Sequence, residues 1–197
     1  MRVHPLPVRL THWVNAVAMT LMIMSGWRIY NASPLFSFEI PAWMTLGNWL
    51  GGALAWHFAA MWLLAANFAV YVMYGLLSGH VRRRLLPLRP RDVAHDLRQA
   101  LRFRLPHSGT EYNAVQRLLY MIAGLGIAGA IVSGLAIWKP VQLAPLTVVL
   151  GGYDIARRVH FAAMSGLVLF VFVHLMLVAI VPRTLPPMIT GRAGASR

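Results

Sequence analysis

The chain of 197 residues is 58% hydrophobic and only 12% charged, about half the charged fraction of a soluble domain, so its composition is typical of a membrane protein. Its 18 basic residues outnumber 5 acidic ones, but short cytoplasmic loops of membrane proteins carry the same excess, and we expect no nucleic-acid partner. The chain has no cysteine, which excludes disulfides, thiolate metal sites and covalently attached c-type haem.

Four stretches nearly free of charged residues are long enough to cross a bilayer, which needs about 20 residues per helix. They predict membrane helices at about residues 7–30, 50–78, 114–138 and 155–182. We therefore predict an all-α, integral membrane four-helix antiparallel bundle that forms a single domain over residues 1–197.

The basic residues predict the orientation of this bundle. With both termini inside the cell (N-in/C-in), the inner segments hold 14 of the 18 lysines and arginines, as the positive-inside rule requires. Residues 80–112 form the basic inner loop. Within it, Val93, Leu97 and Leu101 recur every four residues, which predicts an amphipathic helix on the inner leaflet; a solvated charged loop is the alternative.

Two histidines lie in the fourth predicted helix, in an apolar run without acidic residues. His160 and His174 are fourteen residues apart, which is close to four helical turns and a rise of about 21 Å. The two imidazoles therefore share nearly one stripe of the helix at different depths in the membrane. A single metal ion cannot contact both, so the spacing predicts two separate sites.

Two further histidines match these depths. His57 begins the second helix on the outer side, where His160 lies, and His12 begins the first helix on the inner side, where His174 lies. We call His57 and His160 the outer pair, and His12 and His174 the inner pair. The sequence HFAAM begins at each outer-pair histidine. Tyr71 lies fourteen residues after His57, so the second helix offers no histidine to the inner level.

Paired imidazoles without other ligands favour haem over zinc. Zinc takes four protein ligands, or three and a water, but no cysteine exists and no carboxylate lies in a predicted helix core. Haem iron needs only two axial ligands, so we predict two haem b groups whose irons are bound by His12 with His174 and by His57 with His160. The alternative is that these histidines are hydrogen-bonded structural residues or form a proton path.

Several motifs resemble those of a known family. The THWVNA segment near the start, WHF in the second helix and H-x13-H in the fourth are similar to the bacterial cytochrome b561 and nickel–iron hydrogenase b-type cytochrome superfamily over residues 8–182. The resemblance implies a di-haem bundle in the bacterial inner membrane. It also implies that the inner pair holds the cytoplasmic-side haem and the outer pair the periplasmic-side haem.

A second resemblance concerns a quinone site. YNAVQR, residues 112–117, is similar to the YNAGQK of formate dehydrogenase cytochrome subunits, which borders a quinone site beside the inner haem. It implies that Asn113 and Gln116 contact ubiquinone or menaquinone. Val115 replaces the glycine of that pattern and would narrow the pocket, and Asn113 could instead cap the third helix.

Four arginines at the ends of the predicted helices are candidate partners of haem propionates, because guanidinium groups bind carboxylates strongly. Arg9 and Arg117 lie inside, and Arg28 and Arg157 lie outside. The alternative is that these arginines only fix the topology.

These predictions together indicate electron transfer across the membrane between the quinone pool and a periplasmic redox partner: a molybdopterin oxidoreductase, a hydrogenase or a cytochrome c. One alternative is a superoxide:quinone oxidoreductase of the same fold that acts alone, its outer cations attracting a small anion. The other is a non-redox membrane protein that uses its histidines for protons or metal.

Overall fold

The computed structural model describes residues 5–79, 89–101 and 114–191, and within these ranges the chain is helical without a strand. The four long helices differ from the predicted spans by no more than two residues at either end. In chain order the helices are α1 Leu6–Ala32, α2 Leu50–Leu77, α3 Pro90–Leu101, α4 Ala114–Trp138, α5 Ala144–Val149, α6 Tyr153–Ile180 and α7 Leu185–Thr190, with 3-10 turns at Ala42–Met44 and Pro182–Thr184.

The long helices are built for lipid. Helices α2, α4 and α6 are each long and apolar enough to cross a bilayer by themselves. Helix α1 has 27 residues, which is also sufficient, but it carries more polar side chains. Large apolar residues face outward on these helices; Leu125, Leu169 and Phe172 are 63% to 70% exposed. Lipid, rather than water, is the environment that stabilises such a surface.

The long helices pack as two hairpins that join side by side. Helix α1 packs along α2 to form the first hairpin, and α4 packs along α6 to form the second. Aromatic contacts join the hairpins along both seams, Phe58 with Trp138 between α2 and α4, and Tyr30 with Phe161 between α1 and α6. The order around the bundle is therefore α1, α2, α4, α6, which places α2 diagonally opposite α6.

The centre of the bundle is a small apolar core to which each long helix contributes one residue: Ala18, Leu64, Ile127 and Leu167. Along the helices, these residues lie between the levels of the two histidine pairs. The core thus separates the outer end of the bundle from its inner end.

The two hairpins are approximate repeats of each other. A shift of 108 residues places Ser25-Gly26 of α1 on Ser133-Gly134 of α4. A shift of 103 residues places His57 of α2, with the FAAM that follows it, on His160 of α6. The aromatic contacts repeat as well. The same shifts place Tyr30 on Trp138 and Phe58 on Phe161, and the ring centroids are 5.3 Å apart in both seams.

The inner end is closed by the shorter helices. The carboxylate of Asp96 in α3 accepts a hydrogen bond of 2.7 Å from the backbone N–H of Ala114 and so caps the start of α4. Trp13 donates its indole N–H to the carbonyl of Met188 in α7 at 3.2 Å, and the guanidinium of Arg9 donates to the carbonyl of Ile189. Helix α7 is therefore tied to the first turns of α1.

Candidate haem-binding sites

The outer pair meets across the diagonal of the bundle. His57 on α2 and His160 on α6 lie with their ring centroids 6.4 Å apart and their planes at 72°. Both rings are partly buried. Imidazoles that face each other across a bundle axis can hold one metal centre between them.

The inner pair meets between neighbouring helices. The ring centroids of His12 on α1 and His174 on α6 are 6.0 Å apart, with the planes at 66°. Phe170, one turn before His174, stacks on that ring at 5.9 Å and 13°, and Trp13 packs edge-on against His12 at 5.4 Å. Aromatic packing therefore restricts both inner-pair rings.

Ring separations at both levels fit two imidazoles that share one metal ion. Two metal–nitrogen bonds of about 2.0 Å, with about 1.1 Å from each nitrogen to its ring centre, separate the centroids by about 6.2 Å. The described part of the chain holds no group of three or more metal-ligating side chains. Each pair therefore suits a centre whose remaining ligands come with it, as the four porphyrin nitrogens of haem do.

The Nδ1 atom of each outer-pair imidazole lies within hydrogen-bond distance of a serine hydroxyl on a neighbouring helix. His57 Nδ1 lies 3.0 Å from Ser25 Oγ, and His160 Nδ1 lies 3.1 Å from Ser133 Oγ and 3.0 Å from the carbonyl of Ala130. Both serines are fully buried. These serines were not among the predicted site residues, although the Ser-Gly dipeptide recurs at equivalent positions of α1 and α4.

A polar contact supports α1 beside the inner pair. Asn67 of α2 donates from its Nδ2 to the carbonyl of Thr11 at 2.9 Å and to Asn15 Oδ1 at 2.7 Å. Of the two acceptors in α1, Thr11 directly precedes His12 and Asn15 lies about one turn after it. The two hydrogen bonds fix the register of α1 on α2 at the inner level.

The structure places the four candidate propionate partners at the two ends of the bundle. Arg28 lines a polar hollow with Asn31 and Glu39 at the outer end. Arg157 donates to the carbonyl of Ser33 at 2.7 Å and to its hydroxyl at 3.0 Å, which ties α6 to the end of α1. Both arginines thus lie at the end of the bundle that carries the outer pair.

At the inner end, Arg9 donates to Ile189, while its Nε is buried without a hydrogen-bond partner among the described residues. Arg117 and Gln116 lie in the first turn of α4. Asn113, the other candidate quinone ligand, lies outside the described residues. The buried Nε of Arg9 is a donor to which a carboxylate at the inner level could bind.

Comparison with known proteins gives one family and two informative relatives. Residues 3–191 match the family model described as prokaryotic cytochrome b561. A candidate protein-methionine-sulfoxide reductase subunit, YedZ1, of Azospira oryzae is 52% identical over 190 residues, which is 96% of each chain. A candidate B-type cytochrome subunit of a Ni/Fe-hydrogenase from Bradyrhizobium diazoefficiens is 25% identical over 191 residues, covering 88% of this chain and 75% of the relative.

The family match covers nearly all of the chain, and the helical bundle with its apolar surface agrees with it. The resemblance inferred from the sequence motifs is thereby confirmed, as are the helical membrane fold and the inner-membrane location. The chain belongs to the prokaryotic cytochrome b561 family of b-type membrane cytochromes and is a multi-pass electron-transfer protein of the bacterial inner membrane.

Proposed function

We propose that this chain is a single di-haem domain that carries electrons from the quinone pool to a periplasmic reductase. The outer pair holds one haem b and the inner pair holds the other. The observation that carries the proposal is the presence of two imidazole pairs with centroids 6.4 Å and 6.0 Å apart, on two levels of one bundle. The rise of about 21 Å between His160 and His174 brings a redox centre toward each face of the membrane.

The chain's own residues supply binding and orientation, while haem supplies one-electron transfer when bound. Each pair would hold its iron with two imidazoles and leave no position for oxygen, so these sites would suit electron transfer rather than oxygen binding. The apolar core between the two levels, with Leu64 and Leu167 buried, keeps water from the middle of the bundle. Arg9, with its unpaired Nε, is the proposed partner of a propionate of the inner haem.

Quinol oxidation belongs at the inner end in this proposal. Gln116 lies in the first turn of α4, at the end of the bundle that carries the inner pair, and Asn113 immediately precedes that helix. Their amide groups would hydrogen-bond the quinol oxygens. Oxidation of one quinol releases two electrons, which pass outward, and two protons, which remain on the inner side.

The proposed electron acceptor is a periplasmic protein-methionine-sulfoxide reductase. This follows from the name of the relative that is 52% identical over 96% of both chains; the hydrogenase relative is only 25% identical. Reduction of one methionine sulfoxide to methionine takes up two electrons and two protons and releases water. One quinol therefore supplies the electrons for one sulfoxide.

The test uses the purified holoprotein in detergent with a quinol analogue and a purified periplasmic protein-methionine-sulfoxide reductase. We expect the quinol to reduce the b-type haems, and the reductase to reoxidise them only when a protein containing methionine sulfoxide is present. Haems that the quinol leaves oxidised would contradict the proposed donor. Haems that stay reduced with the reductase and sulfoxide, but are reoxidised by a hydrogenase or a cytochrome c, would contradict the proposed acceptor.

A further inference from the structure

We propose that Ser25 and Ser133 are positioning residues that hold the outer-pair imidazoles as Nδ1–H tautomers, so that each Nε2 lone pair is available to iron. This inference rests on the proposed function, because it concerns how the outer pair binds haem. It adds one serine to the outer site from each of α1 and α4, the long helices without an outer-pair histidine. We call each serine with its histidine and glycine a clasp: Ser25, Gly26 and His57 form the first, and Ser133, Gly134 and His160 the second.

The tautomer of His160 follows from the position of the hydrogens in the second clasp. The hydroxyl of Ser133 donates to the carbonyl of Gly129 at 2.6 Å, so its only hydrogen is already used. Its oxygen can then only accept a hydrogen bond from His160 Nδ1 at 3.1 Å. The carbonyl of Ala130, 3.0 Å from the same nitrogen, is an acceptor only. Nδ1 therefore carries the hydrogen.

The first clasp has the same arrangement. The hydroxyl of Ser25 donates to the carbonyl of Leu21 at 2.5 Å, which leaves its oxygen to accept from His57 Nδ1 at 3.0 Å. Ser25 Oγ also lies 3.3 Å from the carbonyl of Met22, as Ser133 Oγ lies 3.4 Å from that of Ala130. The shift of 108 residues that relates α1 to α4 places Leu21 on Gly129 and Met22 on Ala130. The contacts of the serine with its own helix and with the imidazole are thus repeated.

The glycines explain how each ring comes so close to the neighbouring helix. A Cβ added at Gly26 would lie 3.4 Å from Cε1 of His57, and one added at Gly134 would lie 3.1 Å from Cε1 of His160. A side chain at Gly134 would press on the imidazole of His160, whereas a Cβ at Gly26 would just reach van der Waals contact with that of His57. The Ser-Gly dipeptide therefore combines an acceptor for Nδ1–H with the space for the ring.

The clasps would affect the iron electronically as well as sterically. A hydrogen bond from Nδ1–H raises the basicity of the imidazole and fixes its rotation, as is general for metal-binding histidines. Both serine side chains are fully buried, so no water competes for this bond. A more basic axial ligand stabilises ferric iron more than ferrous iron. Removal of a serine hydroxyl should therefore make the outer haem easier to reduce.

The experiment compares Ser25→Ala, Ser133→Ala and the double variant as holoproteins, by redox titration combined with low-temperature EPR. One lost hydrogen bond corresponds to about a two- to tenfold change in an equilibrium constant. We expect each single variant to shift the outer haem toward its reduced form by about that factor. Because the clasps are equivalent, the two shifts should be similar, and they should multiply in the double variant while the inner haem keeps its potential.

Matched variants separate positioning from a general effect on folding. Ser25→Thr and Ser133→Thr keep a hydroxyl and should keep the potential of the outer haem near that of the wild type. Thr20→Ala in α1 removes an exposed hydroxyl that bonds only within its own helix, and Ser165→Ala removes an exposed hydroxyl from α6. Neither should shift either haem.

Unchanged potentials and EPR signals in Ser25→Ala and Ser133→Ala would overturn the inference, as would equal shifts of both haems. Loss of the outer haem in an alanine variant supports it only if the threonine variant retains that haem; loss in both would overturn it. A wild-type protein without a bis-histidine haem would instead contradict the proposed function.

Discussion

The outer and inner ends of the bundle use the two hairpins differently. At the outer end both hairpins carry the same parts, a Ser-Gly on one helix and His-Phe-Ala-Ala-Met on the other. At the inner end the repeat is broken: the position equivalent to His12 is Tyr120 in α4, and the position equivalent to His174 is Tyr71 in α2. The inner pair therefore combines one histidine from each hairpin.

This difference shows how one repeated hairpin can give two unlike histidine pairs. The outer pair lies on the diagonal helices α2 and α6, so the approximate two-fold relation of the hairpins exchanges its two members. The inner pair lies on neighbouring helices, α1 and α6. The same relation places Tyr120 at the position equivalent to His12 and Tyr71 at the position equivalent to His174. Among the described helices, only α6 carries a histidine of each pair. We expect similar effects from equivalent changes at the outer end, and unequal ones at the inner end.

The largest effect is expected from removing a histidine. His57→Ala or His160→Ala should abolish the outer haem and leave the inner one, whereas His12→Ala or His174→Ala should do the reverse, because in the proposed function each pair holds one haem iron. Reduced-minus-oxidised spectra with potentiometry identify which centre is lost. The pairing would be wrong if His57→Ala and His174→Ala removed the same haem.

The second-largest effect is expected at the two glycines that lie beside the outer-pair rings. Gly134→Ala should lower the stability of the holoprotein by about 1–3 kcal/mol and reduce its outer-haem content, because its Cβ would lie 3.1 Å from the ring of His160. Gly26→Ala should cost less, since the corresponding distance is 3.4 Å. Thermal unfolding followed by haem absorbance measures both.

Gly124→Ala is the matched control for these glycine variants. No atom lies within 4 Å of the Cβ it would add to α4, so it reports the gain in helix propensity alone, about 1 kcal/mol. Equal effects at Gly124 and Gly134 would contradict the proposed contact with His160.

A smaller effect is expected at the inner end from Asn67→Ala. The variant loses hydrogen bonds to Thr11 and Asn15, and bonds between membrane helices contribute about 0.6 kcal/mol each. We therefore expect a loss of about 1 kcal/mol in unfolding free energy and a changed EPR signal of the inner haem only. A change in the outer haem signal instead would show that Asn67 does not act on the inner level.

The smallest effect is expected from Trp13→Phe, which removes the hydrogen bond to Met188 and keeps the aromatic ring beside His12. The indole is 42% exposed, and a single such bond is worth about 0.5 kcal/mol. Unfolding should therefore change only slightly, while protease sensitivity of the segment after α6 increases. Unchanged cleavage there would contradict the proposed tie between α7 and α1.

The long helices and the relative depths of the histidines could be predicted from sequence, because both follow from chain spacing. Charge-free stretches defined α2, α4 and α6, and the fourteen residues between His160 and His174 fixed two levels. Sequence spacing also pairs His57 with His160 by depth, and the structure places these rings 6.4 Å apart. Their ligation of haem remains a prediction.

The polar contacts around the histidines could not be predicted in the same way. A serine in an apolar helix usually bonds its own backbone, as Ser25 also does with Leu21, and nothing in its spacing shows which ring lies opposite. Asn67 had no visible partner because its bonds reach 52 and 56 residues back along the chain. The short helices α5 and α7 are also missing from the predictions, since each has only six residues.

Counting haem per chain is the simplest way to decide whether the two imidazole pairs hold two haems. The wild-type protein, purified from cells supplied with enough haem, should contain two b-type haems per chain by haemochrome absorbance against amino-acid analysis. Redox titration of the same sample should resolve two components. One haem per chain, or none, in such fully loaded protein would show that the two imidazole pairs do not hold two haems.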